Sequence, residues 1–181
     1  AQHREMLDQV INVFGISVDY DLNIMKKNQT LTDITVEVLH ELEKVINKEK
    51  PNLMLVHGDT TTSFAASLCA FYHGISVGHV EAGLRTYNMH SPYPEEFNRQ
   101  SVDLLCDMYF APTQWAYDNL IKEGKNKNKI YITGNTVIDA LKTTVKKDFT
   151  DPNLMWAKKS RFILVTAHRR ENQGLPMLGM F

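Results

Sequence analysis

Cysteine is scarce, charge of either sign is balanced, and no apolar run is long. The 181 residues hold two cysteines, Cys69 and Cys106, in different elements and without Cys-x-x-Cys spacing. That pattern gives no ground for a disulfide framework or a thiolate zinc site and fits a reducing cytoplasm. Twenty Lys+Arg stand against 21 Asp+Glu, a formal charge of −1, so no broad field draws the chain onto nucleic acid or an anionic membrane. Any anion site must be local. No stretch approaches the roughly 20 apolar residues of a membrane helix, and the start lacks a signal-peptide pattern, so neither secretion nor membrane insertion is expected. The glycine fingerprints of dinucleotide and P-loop nucleotide sites are missing as well.

What remains is an ordinary globular composition, 43% hydrophobic, 23% charged and 9% aromatic. A chain of this size buries roughly 68–70% of its unfolded surface, enough for a core without staples. The start, Ala1-Gln2-His3-Arg4, runs at once into helical spacing at Met6, Val10, Ile11 and Phe14, which predicts that something precedes it. At the other end the apolar residues from Leu175 to Phe181 have no partner element to cover, which predicts a second domain barely begun.

Between the ends the apolar period switches repeatedly between strand and helix. A helix is expected over about 30–49, with Thr30 or Thr32 as N-cap and Pro51 just beyond. Leu53-Met54-Leu55-Val56 reads as a strand buried on both faces. Helical spacing through Phe64, Ala65, Leu68 and Phe71 precedes a strand at 75–80, a helix at 94–106 and a strand at 108–111. Further helices are expected at 113–123 and 136–146, around a strand at 130–133. The lysine-rich tract 122–129 reads as a solvated loop. Residues 147–159 read as a linker, followed by a strand from Phe162 to Thr166. Strand–helix alternation with short connections gives an α/β fold, an open, doubly wound parallel sheet of Rossmann-like type. The expected organisation is a first domain over 1–150, a linker over 151–160, and the start of a second domain over 161–181.

In such sheets ligands bind beyond the carboxyl ends of the strands. The residues there are His57-Gly58-Asp59-Thr60-Thr61-Thr62, His79-Val80-Glu81-Ala82-Gly83-Leu84-Arg85-Thr86, Gly134-Asn135-Thr136 and His168-Arg169-Arg170-Glu171-Asn172. Each has a plainer reading. Asp59 could cap the helix after it, Glu81 could form a structural ion pair with Arg85, and Glu95 and Arg99 could be an i,i+4 pair on a solvated helix. His168 and its arginines after a buried strand suit a diphosphate. His57, Asp59, His79 and Glu81 could also hold a metal in a hydrolase, although no third compact group completes the set.

Together with Gln2-His3-Arg4-Glu5-Met6-Leu7, Pro94-Glu95-Glu96-x-Asn98-Arg99 and Thr133-Gly134-Asn135-Thr136-Val137-Ile138-Asp139-Ala140-Leu141, these motifs closely resemble the bacterial non-hydrolysing UDP-N-acetylglucosamine 2-epimerases. The resemblance runs through the whole chain and implies the two-domain glycosyltransferase-B architecture, of which this chain covers mainly the first domain. Relative to the family, the opening strand with its Gly-Thr-Arg-Pro-Glu turn and most of the second domain are missing, and 175–181 departs from the usual Gly-Glu-Pro continuation. The implied reaction interconverts UDP-GlcNAc and UDP-ManNAc through 2-acetamidoglucal, with no nicotinamide and no metal.

By the same resemblance Asp59, Glu81, Glu95 and His168 are catalytic, His168 and Arg99 acting on the departing diphosphate. Arg99, Arg85, Asn135 and Arg169 bind substrate, and Gln2, His3, Arg4 and Arg169 line an activating second UDP-GlcNAc site. A cytoplasmic homodimer that uses UDP-GlcNAc and UDP, with no nucleic-acid or membrane partner, is expected. The alternatives are a hydrolysing relative that releases ManNAc and UDP, the metal-dependent hydrolase, and a nucleotide-sugar-binding regulator without turnover.

Overall fold

The computed structural model describes residues 4–159 and 161–165. By its contacts the chain divides into two units between Asn135 and Thr136.

In the first unit α1 (Arg4–Phe14) is amphipathic but buries none of its residues. Helix α2 (Leu31–Glu49) starts as its sequence dictates: Thr30 Oγ1 accepts from Asp33 N at 3.1 Å and the Asp33 carboxylate accepts from Thr30 N at 2.8 Å. This reciprocal cap satisfies two otherwise orphaned donors, and α2 ends at Lys50 in the left-handed conformation, just before Pro51. Strand β1 (Leu53–His57), α3 (Thr61–Tyr72), β2 (Ser76–Val80), α4 (Glu95–Leu105), β3 (Met108–Ala111), α5 (Gln114–Lys122) and β4 (Ile130–Ile132) follow. All neighbouring strands are parallel, in the order β1-β2-β3-β4. The α/β class and the parallel sheet expected from the alternation are present. Within the lysine-rich tract, Lys127–Lys129 form a single 3-10 turn.

The core lies on one face of this sheet. Val56, Val77, Tyr109 and Ile130, from successive strands, pack with Ala70 of α3, Val102 of α4, and Ala116 and Leu120 of α5. Side chains alternate along a strand, so Leu53, Leu55, Phe110 and Tyr131 occupy the opposite face. There Leu55 is 59% and Tyr131 48% exposed, and Phe110 and Tyr131 stack with ring centroids 5.7 Å apart. The expectation that β1 is covered on both faces is not met: Leu53 is 42% and Leu55 59% exposed. A smaller cluster of Ile24, Val38 and Ala65 joins α2 to α3.

Gly83 is where the helical layer meets the loop after β2. Its φ is +84°, and an added Cβ would lie 2.2 Å from the Ala116 carbonyl oxygen on α5. Gly83→Ala should therefore lower stability by at least the about 1–3 kcal/mol of a strained backbone, with the displacement of α5 added. A urea midpoint equal to that of the parent would contradict this close approach.

The second unit carries α6 (Thr136–Thr144) and a 3-10 helix at Pro152–Lys158. The Trp156 and Phe162 rings meet edge to face. The strand expected from Phe162 does not form through Val165, and Thr166 lies outside the described residues. An apolar run becomes a strand only when a neighbour accepts its backbone hydrogen bonds, and no described strand lies beside this one; Ile163 is 89% exposed.

Candidate active site

The loops after β1 and β2 and the first turns of α4 converge at the carboxyl edge of the sheet. β1 ends at His57, the chain turns through Gly58 at φ +69°, and Thr60 caps α3 by accepting from Ser63 N at 3.1 Å. The capping role considered for Asp59 thus falls to Thr60. Asp59 instead meets Arg99 of α4, with Nη2 to Oδ2 at 2.7 Å, and its backbone carbonyl accepts from Asn98 Nδ2 at 2.9 Å. The Asp59 side chain stays 31% exposed, against 11% for Arg99, so a ligand can still reach the carboxylate.

Beyond β2, Glu81 adopts φ +73° while its N–H donates to the Phe110 carbonyl at 3.0 Å. A non-glycine residue in this region is strained by about 1–3 kcal/mol, a cost found where position matters for function. The result places Glu81 Oε2 3.4 Å from where a Cβ on Gly58 would sit. The Glu81 carboxylate therefore lies against the residue that precedes Asp59.

Helix α4 turns polar and charged groups inward: Glu96, Asn98, Arg99 and Asp103 are all buried beside Val102. The carboxylate of Glu96 accepts from Thr86 N at 3.0 Å, Tyr87 N at 2.8 Å and Gln100 Nε2 at 2.7 Å. Burial pushes this carboxyl up, but those hydrogen bonds and the charge of Arg99 outweigh it and hold Glu96 below the usual carboxylate range. Glu96 thus pins the loop between β2 and α4. The i,i+4 ion pair between Glu95 and Arg99 does not form: Arg99 Nε donates to the Glu95 backbone carbonyl at 3.3 Å and its charge pairs with Asp59.

Arg85 likewise does not pair with Glu81, and it differs from its expected place among the substrate-binding groups. Its side chain has no exposed surface; Nη2 meets Asp103 Oδ2 at 2.7 Å, Nε meets Glu123 Oε1 at 2.7 Å and Nη1 donates to the Leu84 carbonyl. Its donors are spent within the protein. Asp103 also accepts from Gly83 N at 3.2 Å and His79 Nδ1 at 2.6 Å. Burial alone would raise the Asp103 carboxyl, yet the bonds and charges of His79 and Arg85 hold it below its ordinary value. Among the described residues no buried side-chain nitrogen or oxygen lacks a partner.

Asp59, Glu81, Glu95 and Arg99 therefore fall on neighbouring turns at one edge. Asn135 follows β4 at the end of the first unit, and Arg4 pairs with Asp8 and Asp21 at 3.0 and 2.5 Å. Gln2, His3, His168 and Arg169 lie outside the described residues. Of the metal set, His79 has both ring nitrogens engaged, Nε2 lying 2.9 Å from the Gly58 carbonyl oxygen. Among the described residues no three His, Cys, Asp or Glu side chains are placed to hold a metal ion, and no helix is long and apolar enough to cross a membrane. The sequence reading gave no role of their own to Glu96, Asn98, Asp103 and Glu123. The available signal was Glu96, Arg99 and Asp103 at i, i+3 and i+7 on α4, a charged stripe in phase with buried Val102.

A parallel α/β sheet with acids and an arginine at its carboxyl edge defines an open-sheet ligand-binding protein. The profile of the UDP-N-acetylglucosamine 2-epimerase family matches residues 1–180, and the chain belongs to that family. It is 57% identical over 181 residues to UDP-N-acetylglucosamine 2-epimerase of Bacillus subtilis (strain 168), covering 100% of this chain and 48% of the relative. The crystal structure of a Listeria monocytogenes protein given the same family name superimposes with TM-score 0.94 at 57% identity, over 99% of this chain and 47% of that one. UDP-GlcNAc 2-epimerase from Neisseria meningitidis, solved bound to UDP-GlcNAc, matches with TM-score 0.74 at 58% identity, over 78% of this chain and 39% of that one. The chain spans about half the length of the curated relatives it matches.

Proposed function

We propose that a full-length protein carrying this chain interconverts UDP-GlcNAc and UDP-ManNAc without hydrolysis. The observation that carries the reading is the meeting of Asp59, Arg99 and the Glu81 carboxylate around the Gly58 turn, joined to family membership. The C2 hydrogen of the sugar is not acidic by itself. As the C1–O bond to UDP breaks, positive character at C1 acidifies that hydrogen, a carboxylate removes it, and 2-acetamidoglucal and UDP result. Return of a proton to the other face of C2 and re-addition of UDP at C1 completes the inversion. No hydride moves, so the chemistry calls for neither nicotinamide nor metal.

In this reading Asp59, Glu81 and Glu95 are the acid/base carboxylates, and Arg99, besides orienting Asp59, faces the diphosphate with His168. Asn135 and Arg169 contact substrate, and Gln2, His3, Arg4 and Arg169 serve an activating site. Residues 1–150 form the first Rossmann-like domain of a glycosyltransferase-B architecture, 151–160 the linker and 161–181 the start of the second domain. The protein acts as a cytoplasmic homodimer. The Neisseria meningitidis relative solved with UDP-GlcNAc supports the choice of ligand.

Turnover of UDP-GlcNAc in D2O should place deuterium at C2 of the product; an unlabelled product rules out proton exchange at that carbon. A free-sugar assay on the same mixture separates the hydrolysing reaction, which releases ManNAc and UDP.

A further inference from the structure

His79 is wholly enclosed, and both ring nitrogens face oxygens. Nδ1 lies 2.6 Å from Asp103 Oδ1 and Nε2 lies 2.9 Å from the Gly58 carbonyl oxygen. A carbonyl oxygen can only accept, so Nε2 must carry a proton. The other nitrogen faces a carboxylate whose second oxygen already accepts from Arg85 Nη2 and Gly83 N. Asp103 is itself held in place: Arg85 from the loop after β2 shares its carboxylate, Glu123 at the end of α5 binds Arg85, and Lys125 donates to the Asp103 backbone carbonyl.

The Gly58 carbonyl is the last acceptor before Asp59. Its own N–H donates to the Val80 carbonyl at 2.9 Å, so β2 holds Gly58 from both sides, once by backbone and once by His79. On its far side His79 shares Asp103 with Gly83 N, in the loop that carries Glu81. We propose that His79 is a positioning residue, held between Asp103 and the Gly58 carbonyl, which sets the Asp59 turn in register with the Glu81 turn. The proposal rests on the assignment of Asp59 and Glu81 as the reacting acids. Its mechanistic content is geometric: a shift of about 1 Å in a reacting group can cost 10²-fold in rate.

Two readouts test it in the full-length protein. Histidine-labelled 15N NMR reports which ring nitrogen carries a proton without reference to any reaction. The Nε2 of His79 should carry a proton, as a bond to the Gly58 carbonyl requires; an unprotonated Nε2 overturns the proposal.

The second readout is a pair of neutral replacements. The amide nitrogen of His79→Gln can reach the place of Nε2 and keep the bond to Gly58, whereas His79→Asn reaches only the place of Nδ1 and releases it. On UDP-GlcNAc, His79→Asn should lose about 10²-fold in kcat with little change in KM, and His79→Gln should recover about tenfold of that loss. Equal losses in both, or a loss in KM alone, overturn positioning through Gly58. If the unsubstituted protein does not turn over UDP-GlcNAc, the proposed function fails while the NMR result still decides the bond from His79 to the Gly58 carbonyl.

Discussion

Glu81→Gln in the full-length protein is expected to reduce turnover of UDP-GlcNAc by about 10²–10⁴-fold, the span attributed to a positioned acid or base. The substitution keeps side-chain volume and removes only the charge and the proton-accepting oxygen. Glu81 is the cleanest acid to test, since no described ion pair holds its carboxylate, whereas Asp59 is bound to Arg99 at 2.7 Å. Asp59→Asn mixes loss of a proton carrier with release of a buried guanidinium. UDP affinity should survive in Glu81→Gln, and deuterium entry at C2 should fall in step with turnover. Parent-like turnover in Glu81→Gln would remove Glu81 from the chemistry, and the shared turn with Asp59 would lose its functional reading.

The second large effect concerns folding. Asp103→Ala leaves His79 and Arg85, neither with exposed side-chain surface, without the anion between them. Breaking a buried ion pair from one side typically costs about 3–5 kcal/mol, which should appear as a large drop in the urea midpoint. Asp103→Asn should cost less, because an amide can still hydrogen-bond part of the cluster. The acid limb gives a signature. The folded-state carboxyl lies below its unfolded value, so its contribution is complete above the unfolded value of about 3.9 and vanishes as pH falls through the lower folded one. The gap between parent and Asp103→Ala should therefore close on the acid side and stay constant through neutral pH. A variant equal to the parent at neutral pH would show that the cluster does not hold the loop.

Much of this fold is legible in the residues themselves. Thr30 and Asp33 announce the start of α2 three positions apart, and the β-rich runs at 53–57, 76–80 and 108–111 become strands because each alternates with a helix long enough to cross back over the sheet. The acids of the candidate site stand out for a similar reason: Asp59 and Glu81 directly follow strands, where a parallel sheet exposes its ligand-binding rim.

Pairing is what the one-dimensional pattern conceals. Arg85 stands four residues from Glu81 and reads as its partner, yet the left-handed backbone at Glu81 and Gly83 sends the two side chains apart, and Arg85 finds acids 18 and 38 positions away. The cap of α3 is ambiguous between Asp59 and Thr60 until the turn at Gly58 is set. Residues 162–165 have the composition of a strand, but a strand is a property of two segments and cannot be read from one.

The exposed face of the sheet has a practical consequence. Among the described residues strand β1 is terminal in the strand order, so one line of its amides and carbonyls points outward beside the exposed side chains of Leu53 and Leu55. Such a rim invites another chain to add itself as a strand. Material consisting of these residues alone has a surface that favours self-association as its concentration rises, and handling it in dilute solution follows from the shape of the sheet.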